Sequence, residues 1–497
     1  MVDSAARGSY ADRAKSAALW SVAFNYFRDG LQFVQLIILV RLLDQSAYGL
    51  FAFVTSIMGV LSAVSARPFL AQIIQVQREE DVHYQDHFTA AGVLQLAVFL
   101  IASLIAFVLA RIPAYEESAP LIQVASLIFL LDWGCELRVK MIEREFDFRS
   151  LRLLYALGLL LSAGTSVVMA LLGFGAYALV VPGMLVTLPF LWDLLVRQGW
   201  RPTWEFSWGN YRAAFHFGTT RIGSGMSTRG RTFLESSVLT AVHGFAQLGV
   251  LNRAIGLATL ACGKIAMQLM TGIYPVLTRL EKESGRVVQV GNLVLRLVTW
   301  FIIPVAISLT TMATPLVNTL YGPAWTEVIP FMKWTLAMAV ASALVHVAYT
   351  LLLARDGTRL CLACDTITLA GTAASLFLML PFGLVPYLCG IIAVHGLNFL
   401  ILTKVLIGRE AMTLYGIRDA FFPAVTSAMI AGTVAYACLH ACQGDLQTKS
   451  GAVLWGLIFS AGYLFAIRCL FCKLLLEMMP FLPARRYISR VLWISQT

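Results

Sequence analysis

Apolar runs separated by short polar segments recur along the whole chain. Many of these runs reach about twenty residues, the length at which an α-helix crosses the hydrocarbon core of a bilayer. Glycine-containing turns such as those at 173–176 and 382–384 reverse the chain direction between neighbouring runs. The pattern predicts fourteen membrane-spanning helices, at 17–40, 48–65, 89–110, 119–136, 151–172, 176–196, 216–240, 249–273, 291–320, 327–353, 362–381, 384–405, 419–439 and 451–471.

The composition agrees with this pattern. Hydrophobic residues make up 59% of the 497 residues, charged residues only 13%, and the mean hydropathy is +0.77. Soluble domains carry about 25% charged residues. The chain is therefore predicted to be an all-α polytopic membrane protein.

The basic residues are distributed unevenly between the two sides of the predicted membrane. With the N-terminus placed in the cytoplasm, the cytoplasmic segments, together with the cytoplasmic span ends at Arg152, Lys404 and Arg468, hold 26 of the 37 lysines and arginines. The opposite side holds Arg41, Arg111 and Lys449. This asymmetry follows the positive-inside rule, so the net charge of +10 indicates membrane orientation and not a nucleic-acid partner. The polar first sixteen residues show no cleavable signal peptide, and both termini are expected in the cytoplasm.

The remaining eight basic residues fall inside the predicted spans. An arginine at the bilayer centre costs about 2.5–3.5 kcal/mol, so the three in span 7 cost about 8–10 kcal/mol unless they face water or partners. Arg296 and Lys333 lie near span ends, where long side chains are expected to extend to the interface.

Helical wheels place the other six basic residues on polar faces of three spans. Arg231 and Glu235 are four residues apart and are expected to form an ion pair. The polar faces comprise Asn25, Arg28, Asp29 and Gln32 of span 1, Arg221, Arg229, Arg231 and Glu235 of span 7, and Arg253 and Lys264 of span 8.

These faces carry more positive than negative charge. The six cations are accompanied only by Asp29 and Glu235, and an unpaired buried charge is costly. The excess predicts a water-filled cavity that binds an anion, and the arginine fork suits phosphate or carboxylate. The alternative is that the charges form structural ion pairs. Each acid could neutralise a neighbouring arginine or take part in ion or proton coupling.

Motifs for soluble catalysis are missing from the sequence. There is no GxxxxGK[ST] phosphate loop, no HExxH and no GxSxG, so no enzyme activity and no cofactor are predicted. The CxxC pairs at 361–364 and 469–472 have no nearby histidine or second pair to complete a zinc set. They are interpreted as small hydrophobic residues buried between helices.

An internal repeat relates the two halves. Shifting the chain by 200 residues places span 1 on span 7 without a gap. Six spans separate equivalent positions, which predicts six-helix bundles at 1–200 and 201–410, followed by two further helices and a cytoplasmic tail at 411–497. Such repeats place the solute site between the halves. The identities are Gly30 with Gly230, Phe33 with Phe233, Leu39 with Leu239, and Gly49 with Gly249.

Two stretches complete a family resemblance: "LIILVRLLDQSAYGLFAF" after the polar face of span 1, and "LGVLNRAIGLATL" in span 8. Together with the fourteen spans and the repeat, they resemble the Wzx-type polysaccharide-biosynthesis flippases of the multidrug/oligosaccharidyl-lipid/polysaccharide exporter superfamily. Val40 stands where that family usually has alanine. The resemblance implies a MATE-like V of two six-helix bundles with two extra C-terminal helices, and alternating access driven by H⁺ or Na⁺.

The resemblance also implies a substrate and a location. Such proteins move an oligosaccharide linked to undecaprenyl pyrophosphate, here expected to be acidic, to the periplasmic leaflet of the bacterial inner membrane. Membrane lipids and the polysaccharide polymerase and co-polymerase are the implied partners. The expected substrate-binding residues are Arg28, Arg221, Arg229, Arg231, Arg253, Lys264, Asn25 and Gln32, with Asp29 and Glu235 as ion-coupling candidates.

Two other functions remain open from the sequence. The first is drug or cation antiport, as in the multidrug branch of the superfamily, although a cation exporter would be expected to have a less positive cavity. The second is a non-transporting membrane scaffold for polysaccharide assembly. It predicts that alanine at the cavity arginines has no effect.

Overall fold

The computed structural model describes residues 2–76, 82–279, 284–355, 357–442 and 444–478. Every regular element in these ranges is helical, which confirms the predicted all-α fold. The chain divides into two compact units, residues 1–249 and 250–497. These two units do not show which segments form the sequence repeat. The division at residues 200 and 410 into two six-helix bundles and a C-terminal part therefore stays a prediction. The predicted tail beyond residue 478 lies outside the described residues.

The first unit is formed by eight helices and the larger part of a ninth. Pro182 lies inside one of the short helices, and Pro189 is the second residue of the next. Proline removes a backbone donor and interrupts the regular hydrogen-bond ladder, which favours short helices in this part of the chain. The helices are α1 (Val2–Leu42), α2 (Gln45–Ala63), α3 (Arg67–Leu70), α4 (Tyr84–Leu109), α5 (Ala119–Arg144), α6 (Phe148–Leu171), α7 (Tyr177–Met184), α8 (Leu188–Trp192) and α9 (Trp208–Ala258).

The second unit begins within the last turns of α9. Its further helices are α10 (Lys264–Arg279), α11 (Ser284–Thr311), α12 (Ala313–Leu320), α13 (Ile329–Leu353), α14 (Thr358–Leu378), α15 (Leu384–Gly408), α16 (Leu414–Ala441) and α17 (Lys449–Met478). Short 3₁₀ turns occur at Ala71–Ile74, Glu116–Ser118, Leu185–Thr187, Pro323–Val328 and Leu380–Phe382, and π-helical turns at Asp193–Arg197 and Thr259–Gly263.

Twelve helical segments of the described chain are long and apolar enough to cross a membrane. One of them, Met226–Thr271, has 46 residues, about twice the length that a single crossing requires. It contains a break at Gly244, whose φ of 78° is not helical. Helix α1 has 41 residues but is not among the twelve. The chain is a multi-pass membrane protein, and the predicted count of fourteen spans is approximate.

Helices α2 and α9 cross in close contact at two glycines. A Cβ added to Gly49 would overlap the carbonyl group of Phe245, and a Cβ added to Gly249 would overlap that of Gln45. The two contacts are reciprocal, since residues 45 and 245, and 49 and 249, are each separated by the 200 residues of the predicted repeat. This close approach explains why both positions are glycine.

The C-terminal helices pack on α11 in the second unit. The Arg296 side chain is only 8% exposed, and it lies 2.8 Å from Glu477 and 3.9 Å from Asp419. The Tyr463 hydroxyl donates a hydrogen bond of 2.7 Å to the carbonyl of Trp300. The prediction that Arg296 extends to the membrane interface is therefore wrong, because α16 and α17 cover it and supply its carboxylate partners.

The two CxxC pairs differ in burial. Cys361 and Cys364 are buried, as predicted, whereas Cys469 and Cys472 are exposed. The second pair lies on α17, the last helix of the described chain. The prediction of burial was wrong for this pair.

Candidate functional site

Helix α1 packs against α6 beside its polar face. Phe24 is buried, and its ring lies 6.2 Å from that of Tyr155 on α6. Arg152 of the same helix donates a hydrogen bond of 3.3 Å to the Ser21 hydroxyl. Asn25 and Gln32, two of the predicted substrate-binding residues, are exposed.

Arg28 forms an ion pair with its sequence neighbour. Its Nη2 atom lies 3.2 Å from Oδ1 of Asp29, and both side chains are partly exposed. Adjacent residues on a helix point about 100° apart, so this pair depends on the length of the arginine side chain. The guanidinium remains accessible to a second anion.

Arg229 of α9 contacts α2 through two neutral oxygens. Its Nη1 atom donates hydrogen bonds of 2.9 Å to the Ser62 hydroxyl and 3.3 Å to the Gly59 carbonyl. Hydrogen bonds of a charged donor are stronger when the acceptor is also charged. A phosphate oxygen would therefore be a better acceptor for Arg229 than either of these two groups.

The predicted pair between Arg231 and Glu235 is confirmed. Nη1 of Arg231 lies 2.9 Å from Oε1 of Glu235, one helical turn further along α9. Both side chains are partly exposed. A bound anion would compete with Glu235 for this guanidinium. Neutralising the Glu235 carboxylate would therefore make Arg231 easier for an anion to bind.

Arg221 lies nearer the start of α9 and is exposed. Its guanidinium carbon is 5.2 Å from the ring centroid of Phe217, within the range of a cation–π interaction. This contact positions the side chain. The first unit thus carries Arg28, Arg221, Arg229 and Arg231 with the two predicted coupling acids.

The second unit carries the other two predicted cations. Nη2 of Arg253 donates a hydrogen bond of 2.6 Å to the side-chain oxygen of Asn252, and the Arg253 carbonyl accepts one of 3.4 Å from Tyr321. Lys264 is half-buried at the first position of α10. The π-helical turn at Thr259–Gly263 lies between them and takes more residues per turn than an α-helix. It rotates Lys264 away from the alignment with Arg253 that a regular helix predicts.

The structure also shows a cluster of charged residues that was not predicted from the sequence. Arg67, on the short helix α3, lies 2.7 Å from Asp132 and 3.0 Å from Glu136, which are one turn apart on α5. Burial lowers the pKa of the Arg67 guanidinium, but the two carboxylates outweigh it, and its pKa lies above the ordinary value. The four-residue spacing of the acids was the signal available in the sequence.

A second buried pair joins α5 to the turn after α8. Nε of Arg138 lies 2.6 Å from Oδ2 of Asp193, with side-chain exposures of 6% and 0%. Arg197 approaches the other oxygen of the same carboxylate at 3.0 Å. Arg138 falls in one of the predicted cytoplasmic segments, at 137–150, so the sequence does not indicate that it is buried. These pairs stabilise the first unit and are separate from the polar faces of α1 and α9.

A sequence profile described as "Polysaccharide biosynthesis protein" matches residues 38–330, which is more than half of the chain. The chain belongs to this polysaccharide biosynthesis protein family. The predicted family resemblance is therefore confirmed. The matched region includes α2, α9 and their crossing at Gly49 and Gly249, and it begins within α1, after Arg28.

Proteins similar in sequence to this chain come from three bacteria. The succinoglycan biosynthesis transport protein ExoT of Rhizobium meliloti (strain 1021) is 23% identical over 313 residues, which are 63% of this chain and 63% of that protein. The lipopolysaccharide biosynthesis protein WzxC of Escherichia coli (strain K12) is 24% identical over 70% of this chain and 71% of that protein. The teichuronic acid biosynthesis protein TuaB of Bacillus subtilis (strain 168) is 21% identical over 58% and 60%. The match to ExoT thus spans less than two thirds of that relative's length.

Solved structures confirm the fold of this family member. The lipid II flippase MurJ in an inward closed conformation has a TM-score of 0.74 at 13% identity, covering 92% of this chain and 100% of MurJ. An inward-facing multidrug resistance MATE transporter has a TM-score of 0.55 at 14% identity, covering 77% and 95%. The predicted MATE-like class of helical membrane protein is therefore correct.

Proposed function

We propose that this protein is a flippase that moves an oligosaccharide linked to undecaprenyl pyrophosphate from the cytoplasmic to the periplasmic leaflet of the bacterial inner membrane. The observation that carries the proposal is the set of six cations on α1, α9 and α10 of a membrane-spanning chain. Family membership supports a role in polysaccharide biosynthesis. The names of ExoT as a transport protein and MurJ as a lipid II flippase support transport of a lipid-linked sugar.

The chemistry of the cargo requires cations in a hydrated cavity. A pyrophosphate carries several negative charges and cannot enter hydrocarbon without losing its hydration shell and counterions. Arginine replaces both, because its fork donates two hydrogen bonds to neighbouring oxygens and its charge persists at all physiological pH values. We propose that these cations contact the pyrophosphate and that an acidic repeat unit would extend the same attraction to the sugar.

The contacts of the arginines suggest an order in which they bind the cargo. Arg229 gains a charged acceptor when phosphate replaces Ser62 and the Gly59 carbonyl. Arg28 and Arg231 already pair with carboxylates. For them, phosphate replaces one charged acceptor by another, so the gain in binding free energy is smaller. We therefore assign the first contact with pyrophosphate to Arg229.

The two acids provide a means of ion coupling. If a proton or Na⁺ neutralises Glu235, Arg231 loses its ionic partner and becomes available to pyrophosphate; Asp29 stands in the same relation to Arg28. Loss of the ion restores the pair and weakens the hold on the cargo. Binding of the coupling ion and binding of the lipid-linked sugar would thus favour each other.

The test is export of polymer by arginine variants in a host that lacks its own flippase. Arg229→Ala should abolish export and leave the lipid-linked repeat unit in the cytoplasmic leaflet, and Arg229→Lys should retain part of it because the charge persists. Loss of one charge-assisted contact, about 2–3 kcal/mol, corresponds to a roughly 30- to 150-fold loss. Arg111→Ala is the matched control, since this exposed arginine lies outside the polar faces.

Protein abundance in the membrane must be measured for each variant. Full export by the combined Arg28→Ala, Arg229→Ala and Arg231→Ala variant, at normal abundance, would show that the cations do not contact the cargo and would favour the scaffold function. Drug resistance conferred by the wild-type protein, lost in Glu235→Gln, would favour the antiporter instead.

A further inference from the structure

The segment that connects the first six predicted spans to α9 is rich in exposed aromatic residues. We call residues 197–212 the connector. Its residues 199–207 are not helical. Trp204, Phe206 and Trp208 are 67%, 47% and 53% exposed. Large aromatic rings are rarely left this accessible in a soluble environment without a partner.

Side chains of α4 fix the connector in place. The Gln85 amide donates a hydrogen bond of 3.1 Å to the Arg201 carbonyl and accepts one of 2.9 Å from the Thr203 backbone. The Thr89 hydroxyl donates one of 2.9 Å to the Glu205 carbonyl. The exposed rings are therefore displayed from a backbone that is tied down on both sides of Trp204.

The end of the connector is fixed in the same way. One oxygen of Asp86 accepts a hydrogen bond of 2.6 Å from the Ser207 backbone, and the other accepts one of 2.8 Å from the Asn210 amide. The ring of Trp204 also lies 5.2 Å from that of Trp133. Because α4 begins at Tyr84, the connector lies at one end of a helix that is long and apolar enough to span the membrane.

The exposed surface of α4 continues directly from the connector. Thr89, which holds the connector, is followed at helical spacings of four, seven and eleven residues by Val93, Leu96 and Leu100, and these three apolar side chains are exposed. An exposed apolar stripe on a membrane-spanning helix faces lipid chains. The aromatic rings therefore lie at the end of this apolar stripe.

The connector is also basic. It holds Arg197, Arg201 and Arg212 against a single acid, Glu205. Arg197 is paired with Asp193, whereas Arg201 and Arg212 are exposed. Tryptophan is enriched at the headgroup level of membranes, and arginine near the surface is attracted to anionic lipids.

We propose that the connector is a binding surface for the headgroups of anionic phospholipids. Trp204, Phe206 and Trp208 enter the interface between headgroups and chains, and Arg201 and Arg212 contact the lipid phosphates. Lipid binding there anchors the start of α9, the helix that carries Arg221, Arg229 and Arg231. The proposal does not depend on the identity of the transported cargo.

Exposed tryptophans could instead bind an oligosaccharide, whose sugar rings stack on aromatic side chains. Sugars present many hydroxyl groups and are usually held by aromatic faces together with polar side chains that accept and donate hydrogen bonds. At the connector the Gln85, Asp86 and Thr89 side chains are already bonded to backbone or amide groups. The rings also adjoin an apolar stripe, which favours lipid.

The first measurement is thermal unfolding of the purified full chain in detergent with added phospholipid. Phosphatidylglycerol should raise the unfolding midpoint more than phosphatidylcholine does. Arg201→Gln and Arg212→Gln should each weaken phosphatidylglycerol binding roughly fivefold. Arg418→Gln is the matched control, because that arginine is exposed at the start of another helix and should leave the difference between the two lipids unchanged.

Three outcomes of this measurement would overturn the proposal. They are equal effects of the two lipids on the wild type, the same stabilisation by inorganic phosphate alone, and stabilisation by a soluble polyuronic oligosaccharide that depends on Arg201. The second would identify a simple anion site and the third a sugar platform.

The second measurement is quenching of tryptophan fluorescence in nanodiscs by lipids brominated near the headgroup. The wild type should be quenched, and the combined Trp204→Phe and Trp208→Phe variant should lose a large share of the quenched signal. Trp325→Phe is the control, since Trp325 is 1% exposed. Unchanged quenching in the double variant would place the connector outside the interface and refute the proposal, even if the variant proteins differ in stability.

Discussion

Replacing Gly49 by alanine should destabilise the protein through the crossing of α2 and α9. A Cβ at this position would lie 3.0 Å from Cα of Phe245 and still closer to its carbonyl group, whereas ordinary van der Waals contact begins at 3.4 Å. The opposing atoms are backbone and cannot rotate away. The two helices would have to separate to admit one methyl group.

The expected magnitude is the difference between two opposing effects. Overpacking a close contact costs about 1–3 kcal/mol, and alanine stabilises a helix interior by about 0.5–1 kcal/mol relative to glycine. A net loss of about 1–2 kcal/mol is expected for Gly49→Ala. Gly249→Ala should lose a similar amount, since its Cβ would lie 2.9 Å from the Gly49 nitrogen. The double variant should lose less than the sum, because one separation relieves both overlaps.

The assay is thermal unfolding of the purified variants in a single detergent, followed by intrinsic fluorescence. Gly30→Ala and Gly230→Ala are matched controls: they form another identity of the predicted repeat, but no atom lies within 4 Å of the added Cβ in either case. These controls should be as stable as the wild type or more stable. Gly49→Ala with the stability of Gly30→Ala would refute the reasoning that glycine is required here by close approach.

Two further predictions concern the buried charges. Asp193→Asn should cost about 3–5 kcal/mol and reduce the amount of folded protein, because it leaves the buried Arg138 with only the mostly exposed Glu145 carboxylate, at 3.9 Å. Changing both Arg138 and Asp193 to leucine should restore much of the stability, and wild-type thermal unfolding of Asp193→Asn would contradict the prediction. Glu477→Gln should cost less than about 1 kcal/mol in the same assay, because Glu477 is half exposed and Arg296 retains the Leu474 carbonyl and Asp419. A larger loss would show that the Arg296 pair governs the docking of α17.

Several features of the candidate site could be predicted from the sequence because they depend only on the spacing of residues along one helix. Arg231 and Glu235 are four residues apart, and a helix brings such residues together whatever surrounds it. Asn25 and Gln32 were expected on the polar face of span 1, and both are exposed. Whether they share one cavity with Arg253 and Lys264 stays a prediction.

Other contacts could not be read in this way because they join distant parts of the chain. Arg229 meets Ser62, and Arg138 meets Asp193. Basic residues near span ends can be solvated or buried, and their neighbours in sequence do not distinguish the two. Arg296 was misjudged for this reason, since α16 and α17 cover it from more than a hundred residues away.

The sequence by itself determined that this protein is a helical membrane protein, because the length of apolar runs and the placement of basic residues respond to the bilayer and not to the details of packing. It also contained the repeat that relates Gly49 to Gly249. Only the tertiary structure showed that those glycines allow α2 and α9 to approach closely, and which charged side chains form ion pairs. Those properties depend on distances between helices, and a pattern read along one helix does not include them.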